Sequence, residues 1–108
     1  MHTVVEQTLL RIFLGEDDRA DGRPLFEALV LRARELGIAG ATVLRGPLGY
    51  GHASRLHTAK ILRLSEDLPV VVEIIDEEAR IESFLTEMSP WLVHKLVTLE
   101  RVRVVRFP

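Results

Sequence analysis

Val70-Val71-Val72-Glu73-Ile74-Ile75 is the strongest strand pattern in this chain of 108 residues. β-Branched residues fill every position of the run except Glu73, and such residues pack well on a pleated sheet. Pro69 precedes the run and Asp76 follows it, so both ends are marked by residues that are poor in strands. Because the apolar positions do not alternate with polar ones, the run predicts a strand at 70–75 that is covered on both faces.

The chain on both sides of this run alternates between strand and helix patterns. The further predicted elements are strands at 8–14, 40–48 and 95–107, a helix at 24–36 that stops at Gly37, and a helix from Ala79 to a stop at Pro90. Asp76 could cap the second helix, whose apolar stripe is Ile81, Phe84, Leu85 and Met88. The order β-α-β-β-α-β predicts an α+β, ferredoxin-like sandwich, in which a four-stranded antiparallel sheet carries two helices on one face. Residues 59–64 fit either a short strand or one or two helical turns. We expect a single domain over residues 1–108, with a flexible N-terminus at 1–7.

The predicted sheet carries apolar side chains on both faces. Positions that fall opposite those of their apolar neighbours are Leu9 and Phe13, Val71 and Ile75, and Val97 and Leu99. Two helices cover only one face of a sheet, so further copies of the chain are the simplest cover for the other. The pattern therefore predicts a homo-oligomer. Arg11 and Glu73 stand mid-strand among apolar residues, and they form either a cross-strand pair or two unpaired charges at a solvated edge.

Composition excludes several classes of function. The net charge of −2 argues against nucleic acid as a partner. The absence of cysteine excludes disulfides, thiol chemistry and cysteine-based metal sites. Residues 1–7 lack the pattern of a targeting segment, and no apolar run approaches the length of a membrane span, so we expect a cytoplasmic protein. No catalytic constellation pairs a nucleophile with a base, and we predict no enzyme and no metal cofactor.

Gly40-Ala41-Thr42-Val43-Leu44-Arg45-Gly46-Pro47-Leu48-Gly49-Tyr50-Gly51 is the stretch that points to function. It begins as a strand and then runs into closely spaced glycines and a proline. Glycine lets the backbone approach a ligand closely, and surface loops often carry function. The alternative interpretation is a loosely held hairpin connection.

The cation and carboxylate positions around this loop have two interpretations. Arg45, Lys60, Arg101 and Arg103 could hold a phosphate together with backbone N–H groups of the glycines. Alternatively, Arg45, Arg101 and Arg103 are solvated or paired with Glu100 and Asp67. The carboxylates of residues 16–21 precede the first helix, where we expect caps, while binding of a cation or partner stays open. His52 and His57 alone fall short of the ligand count of a metal site.

Several short motifs together resemble a widespread prokaryotic family of uncharacterised PII-like proteins, of the PII/CutA-like ferredoxin-fold trimers. They are Asp18-Arg19, Gly22-Arg23-Pro24-Leu25-Phe26-Glu27-Ala28, Gly40 to Gly46, Gly49-Tyr50-Gly51, His57-Thr58-Ala59-Lys60, Leu64-Ser65-Glu66-Asp67-Leu68-Pro69 and Leu96-Val97-Thr98-Leu99-Glu100. The resemblance spans about residues 9–106. It implies a compact homotrimer whose sheets face the threefold axis, with an adenine nucleotide bound in clefts between subunits and an effector loop, here residues 47–63, that contacts a membrane transporter, a channel or an enzyme.

Together, the residue patterns and the resemblance indicate two groups of site residues. Nucleotide binding is assigned to Thr42, Arg45, Gly46, Gly49, Tyr50, Gly51, Lys60, Arg101 and Arg103. The effector loop is assigned His52, Ser54, Arg55, His57 and Thr58. Residues 88–95 depart from the PII pattern, because they lack the glycine-rich phosphate loop that follows the second helix. AMP or ADP is therefore expected rather than ATP.

We therefore predict a PII-like signal-transduction protein that binds an adenine nucleotide and regulates a partner. The alternative is a ligand-independent trimeric interaction module, or an accessory protein of an ion transporter, with fluoride as one variant. An enzyme acting on a nucleotide would need product formation that depends on Lys60 and His57. A metal-tolerance trimer resembling the CutA proteins would need the histidines to bind copper or zinc.

Overall fold

The structure is a computed structural model that describes residues 1–50, 56–58 and 67–108, and for Tyr50 and Leu56–Thr58 it describes the backbone only. The strands are β1 (Thr3–Gly15), β2 (Arg19–Ala20), β3 (Arg23–Pro24), β4 (Gly40–Arg45), β5 (Leu48–Tyr50), β6 (Leu56–Thr58), β7 (Pro69–Asp76) and β8 (Leu96–Arg106). The helices are α1 (Leu25–Glu35) and α2 (Glu78–Met88), and a 3₁₀ turn follows at Ser89–Trp91.

The main sheet has the strand order β4-β7-β1-β8, and every neighbouring pair is antiparallel. This is the order of the ferredoxin-like split βαβ unit, so the predicted fold class is confirmed. Two further two-stranded pieces stand outside the sheet, β2 with β3 and β5 with β6. The sheet therefore places the β4 edge on one side and the β8 edge on the other, with β7 and β1 between them.

The core lies between the two helices and one face of the sheet. Its largest fully buried side chains are Phe84, Leu10, Ile12, Leu29, Ile74, Ile81, Val70 and Val72. The predicted stripe of α2 supplies Ile81, Phe84 and Met88 to this core, and α1 supplies Leu25, Leu29 and Ala33. Burial of these side chains is the main term that holds the two layers together.

The helix ends differ from the predicted caps. Neither helix has a side-chain cap hydrogen bond: Pro24 is the N-cap residue of α1, and Glu77 is that of α2. The carboxylates of residues 16–21 therefore do not cap α1 as expected. Gly37 does end α1 as predicted, with φ at +74°, a left-handed conformation that glycine adopts without a Cβ clash.

Asp76 joins four elements instead of capping α2. Its carboxylate, nearly buried, accepts hydrogen bonds from the backbone N–H groups of Ala39 (3.0 Å) and Glu77 (2.7 Å) and from Arg80 Nε (2.9 Å). Arg80 Nη2 in turn contacts the carbonyl oxygens of Leu36 and Gly37 at the end of α1. Burial alone would raise the pKa of Asp76, but these donors outweigh it and lower the pKa.

The N-terminal residues are not a flexible end as expected. Residues 3–7 belong to β1 and pair with residues 102–106 of β8, beyond the point where β7 ends at Asp76. The second predicted strand, 40–48, is also divided: β4 ends at Arg45, and β5 begins at Leu48. The ambiguous run at 59–64 lies outside the described residues.

The face of the sheet that faces away from the helices is only partly covered. We call it the open face, and its side chains include Leu9, Arg11, Phe13, Leu44, Val71, Glu73, Ile75, Leu96, Glu100, Val102 and Val104. Val97 and Leu99, which the sequence placed opposite their neighbours, lie on the helix side, because they pair with Ile12 and Leu10. Of the two alternatives for Arg11 and Glu73, the structure shows the cross-strand pair: Arg11 lies 2.9 Å from Glu73 and also 2.9 Å from Glu100.

Candidate functional site

The glycine-containing turn between β4 and β5 packs against the start of β7. We call residues 45–50 the glycine corner. The Gly46 N–H donates a 2.8 Å hydrogen bond to the Pro69 carbonyl, and a Cβ on Gly46 would lie 3.1 Å from Pro69 Cγ. A Cβ on Gly49 would lie in ordinary contact, 3.5 Å from the same ring. A Cβ at Gly46 would therefore be in tight contact with the Pro69 ring, and the Gly46 N–H is already satisfied within the chain.

An acidic turn lies beside the glycine corner. It comprises residues 15–18, between β1 and β2. Glu16 forms an ion pair with Arg45, and the Asp17 N–H donates to Asp67 Oδ1 at 2.8 Å. Asp18 Oδ2 accepts from the Gly15 N–H at 3.0 Å and from Lys95 Nζ at 2.8 Å. The turn thus connects the glycine corner, the start of β7 and the start of β8.

Among the residues that the structure describes, the electrostatics of this region are unfavourable for phosphate within one chain. The described carboxylates of Glu16, Asp17, Asp18 and Asp67 outnumber the two described cations, Arg45 and Lys95. Arg45, predicted as a phosphate ligand, is engaged by Glu16. A phosphate at the glycine corner would therefore need additional cations, because the carboxylates of the acidic turn would repel it.

Two further arginines that were predicted to bind phosphate lie at the opposite edge of the sheet. Arg101 and Arg103 are exposed on β8 and take part in no ion pair within the described part of the chain. β4 and β8 are three strand spacings apart, which is roughly 14 Å. Arg45 aligns through β7 with Leu14, whereas Arg101 pairs with Thr8, an offset of roughly 20 Å along the strands. Among the described residues, one chain therefore does not bring Arg45 and the glycine corner together with Arg101 and Arg103.

The remaining predicted site residues are described in part or not at all. Thr42 lies on the open face of β4, where it pairs with Glu73. Gly49 and Tyr50 pair with His57 and Leu56 across the β5–β6 hairpin, and Thr58 pairs with Leu48. Gly51, His52, Ser54, Arg55 and Lys60 lie outside the described residues. Among residues 1–50 and 67–108, no group of three metal-ligating side chains could hold a metal ion.

The structural role of Asp67 was not predicted. This residue is 9% exposed and lies against Gly15, where an added Cβ would come within 2.6 Å of Asp67 Oδ1. Fifty positions separate Asp67 from the Asp17 N–H that it accepts, so no local pattern could reveal the contact. The only local signal was the aspartate directly before Leu68-Pro69, which is also typical of an ordinary turn.

A groove of about 840 Å³ lies between α1 and the end of α2, away from the glycine corner. Arg32 lines the groove, and its guanidinium nitrogens lie 3.0 Å from Glu87 Oε1 and 3.4 Å from Glu35 Oε1. Trp91 and Met88 supply apolar lining. None of the predicted site residues lines this groove, so it does not contribute to the predicted site. Within the described residues, no helix is both long and apolar enough to cross a bilayer.

The strand order and the two helices on one face define an α+β, ferredoxin-like fold that matches the fold of PII-like proteins. CPII, a nitrogen regulatory PII-like protein from Thiomonas intermedia K12, was solved bound to ADP, AMP and bicarbonate, and it matches with a TM-score of 0.72. The match covers 94% of this chain and 91% of that one at 14% identity. A putative PII-like signaling protein from Thermus thermophilus matches with a TM-score of 0.61 at 19% identity, over 94% and 90% of the two chains.

The chain belongs to the DUF190 family, described as an uncharacterized ACR, whose family model matches residues 7–104. A UPF0166 protein of Aquifex aeolicus is 46% identical over 102 residues, which cover 94% of this chain and 96% of the relative. A UPF0166 protein of Methanocaldococcus jannaschii is 33% identical over 85 residues, which cover 79% and 78%. The resemblance to an uncharacterised PII-like family is thus confirmed.

Proposed function

We propose that this chain is a PII-like regulatory subunit that binds AMP or ADP in clefts between the subunits of a homotrimer. Ligand occupancy is passed to a partner protein, such as a transporter, channel or enzyme, through residues 47–63. The observation that carries the proposal is that the glycine corner lies at the β4 edge of the sheet, whereas Arg101 and Arg103 lie on β8 at the opposite edge. Neither arginine has an ion-pair partner among residues 1–50 and 67–108. CPII, which shares this fold, was crystallised with ADP and AMP.

The placement of the two edges supports a cleft between subunits. Within the described residues, the cations beside the acidic turn and the glycine corner, Arg45 and Lys95, are already paired with Glu16 and Asp18. Arg101 and Arg103 on β8 are two cations that have no ion-pair partner among residues 1–50 and 67–108. A neighbouring subunit that presents its β8 to this β4 edge would supply the missing charges, since guanidinium groups bind phosphate oxygens bidentately.

The open face supports assembly through the sheet. Leu44 and Leu96 are about half exposed, and Phe13, Val71 and Ile75 are partly exposed although they lie in the middle of the sheet. Extended apolar faces on a folded subunit mark interaction surfaces. Burial of this face against further copies would leave the helices outside and bring the sheet edges of neighbouring subunits together.

The segment after α2 supports a mono- or diphosphate over a triphosphate. Residues 89–91 form a 3₁₀ turn, and the N–H groups of Leu92 and Lys95 donate to the carbonyls of Ser89 (3.1 Å) and Leu92 (3.0 Å). These donors are satisfied within the segment, so they do not form the open cradle of N–H groups that a further phosphate requires. No role in catalysis is proposed for any of these residues.

One observation favours the ligand-independent alternative, an interaction module or an accessory protein of an ion transporter. Glu16 already neutralises Arg45, a cation of the glycine corner itself. If this pair persists in the assembly and nothing replaces it, the corner is a fixed structural turn. Binding of a partner without any nucleotide would then be the function.

Calorimetry with AMP, ADP and ATP, preceded by thermal shift, decides between the two. A ligand that binds the native state raises the melting temperature, and we expect this with AMP or ADP. The Arg101→Ala/Arg103→Ala variant should lose binding, whereas Arg106→Ala on the same strand should retain it. Absence of heat and of any thermal shift with all three nucleotides would overturn the proposal.

A mixing experiment tests the location of the site. The double arginine variant and a Gly46→Val variant should each bind no nucleotide alone. After joint refolding, mixed assemblies would contain some clefts with one intact edge from each chain, and binding should return in part. Failure of the mixed assemblies to bind, with the wild type binding normally, would place the site within one subunit.

A further inference from the structure

Asp67 anchors the C-terminal end of residues 46–67, which lie between β4 and β7 and which we call the segment. Its carboxylate is almost buried and accepts the Asp17 N–H at 2.8 Å, while the neighbouring Leu68 carbonyl accepts the Glu16 N–H at 2.8 Å. Gly15 leaves room for the carboxylate, since any Cβ there would lie 2.6 Å from Asp67 Oδ1. The acidic turn and the start of β7 therefore fit together as one closely packed unit.

The beginning of the segment is fastened to the same turn. Arg45, the last residue of β4, pairs with Glu16. The next residue, Gly46, donates its N–H to the Pro69 carbonyl at 2.8 Å. Arg45 and Asp67, which flank the segment, are thus both held by the acidic turn, and Gly46 is hydrogen-bonded to Pro69, two residues beyond Asp67.

The far side of the acidic turn is joined to the body of the fold. Asp18 Oδ2 accepts from Lys95 Nζ at 2.8 Å, just before β8, and the Asp18 carbonyl accepts the Leu25 N–H at 2.7 Å, at the first residue of α1. A displacement of the acidic turn would therefore disturb the hydrogen bond at the start of α1 and the ion pair just before β8.

We infer that Asp67 is a positioning residue for the proposed nucleotide site, because it fixes the acidic turn as a common anchor for both ends of the segment. The assignment to the nucleotide site rests on the proposed function, whereas the anchor itself does not. Loss of the Asp67 carboxylate should loosen the glycine corner, although Asp67 and Gly46 are held through different hydrogen bonds. An anchor shared by both ends makes their positions depend on one another.

Hydrogen exchange on the ligand-free full chain tests the anchor. Asp67→Ala should speed exchange roughly tenfold in peptides covering both 44–50 and 67–72, as expected from loss of one hydrogen bond at a nearly buried site. Asp67→Asn keeps a carbonyl acceptor in place and should restore most of the protection. Asp17→Ala is the matched control, because it keeps the backbone N–H that Asp67 accepts, and it should match the wild type.

Two results would overturn the anchor: faster exchange confined to 67–72, or an equal effect of Asp17→Ala. If Asp67→Ala does not fold, Glu16→Gln tests the same point, since it weakens the Arg45 ion pair and should speed exchange in 44–50 and 15–18 together. Unchanged exchange in both peptides would then count against the anchor.

Nucleotide titration of the same variants separates this inference from the proposed function. If the wild type binds AMP or ADP, Asp67→Ala should weaken binding roughly tenfold, and Asp67→Asn should weaken it less. Normal affinity in Asp67→Ala would remove its positioning role. If the wild type binds no nucleotide, the proposed function and the assignment to a nucleotide site both fail, and the exchange data alone decide whether the anchor exists.

Discussion

Arg11 Nε on β1 lies 2.9 Å from Glu73 Oε2 on β7, on the open face of the sheet. The same guanidinium reaches Glu100 Oε1 on β8 at 2.9 Å, so a single cation joins three adjacent strands. The hydrogen bond to Glu73 is the main reason that the pKa of Arg11 is raised above its ordinary value. Two carboxylates share one cation in the middle of an apolar face, so the group is suited to specify how a second subunit packs there.

Replacement of Arg11 tests whether the open face is buried in an assembly. Arg11→Met should leave the subunit folded but weaken assembly, because Glu73 and Glu100 would then be buried without a partner. Arg11→Met/Glu73→Gln, which removes one of the two unpaired charges, should recover part of the assembly. Sedimentation over a range of protein concentrations gives the mass. An exposed ion pair contributes little, so an unchanged mass distribution for Arg11→Met would contradict burial of this face.

Adjacent residues on opposite faces of β7 provide a matched test of the two layers. Ile74 is fully buried beneath the helices, whereas Ile75 lies on the open face. Ile74→Lys should prevent folding, since it places an unpaired charge in the core. Ile75→Lys should give a folded subunit with normal circular dichroism that no longer assembles. A wild-type mass for Ile75→Lys would show that the open face is not an interface.

The sequence was sufficient for the two helices, the existence of the four main strands and their order, because each rests on local patterns. The run at 70–75, the helical stripe of Ile81, Phe84 and Met88 and the stop at Gly37 are all readable within a few residues of one another. The faces of β8 were not readable, because Val102, Val104 and Val105 follow no strict alternation. Its register against β1, with Leu10 opposite Leu99, assigns those faces.

The candidate site was predictable only in part, because its contacts are distant in sequence. The glycine corner stands out locally, but the pairing of Arg45 with Glu16 joins residues from different strands. The contact between Asp17 and Asp67 spans fifty positions. Charge counting identified the cations but not which carboxylates engage them, and this choice depends on the packed geometry of the acidic turn.

Asp76 should make stability depend on pH in the acid range. Its folded pKa is lowered, so its contribution is fully present above the unfolded pKa of about 3.9 and is lost as the pH falls through the lower folded value. Asp76→Asn replaces one carboxylate oxygen with an NH₂ group, which would face an N–H donor. The free energy of unfolding should therefore fall by about 1–3 kcal/mol at neutral pH. Urea unfolding between pH 7 and pH 2.5 measures both effects. The variant should show a smaller decrease toward low pH than the wild type, and parallel pH profiles would contradict this role.

Gly15→Ala should destabilise the fold through the contact between the acidic turn and Asp67. The new Cβ would lie 2.6 Å from Oδ1 and 2.9 Å from Oδ2, so the carboxylate must move and its hydrogen bond with the Asp17 N–H must lengthen. Overpacking of this kind costs about 1–3 kcal/mol. Gly40→Ala is the control, because nothing lies within 4 Å of its Cβ position, and its effect should stay within about 0.5 kcal/mol. In the Asp67→Ala background the clash disappears. The double variant should therefore lose less free energy of unfolding than the sum of the losses of the two single variants. Additive values would mean that Gly15 and Asp67 act independently and that the close approach of the turn to β7 is not what glycine provides there.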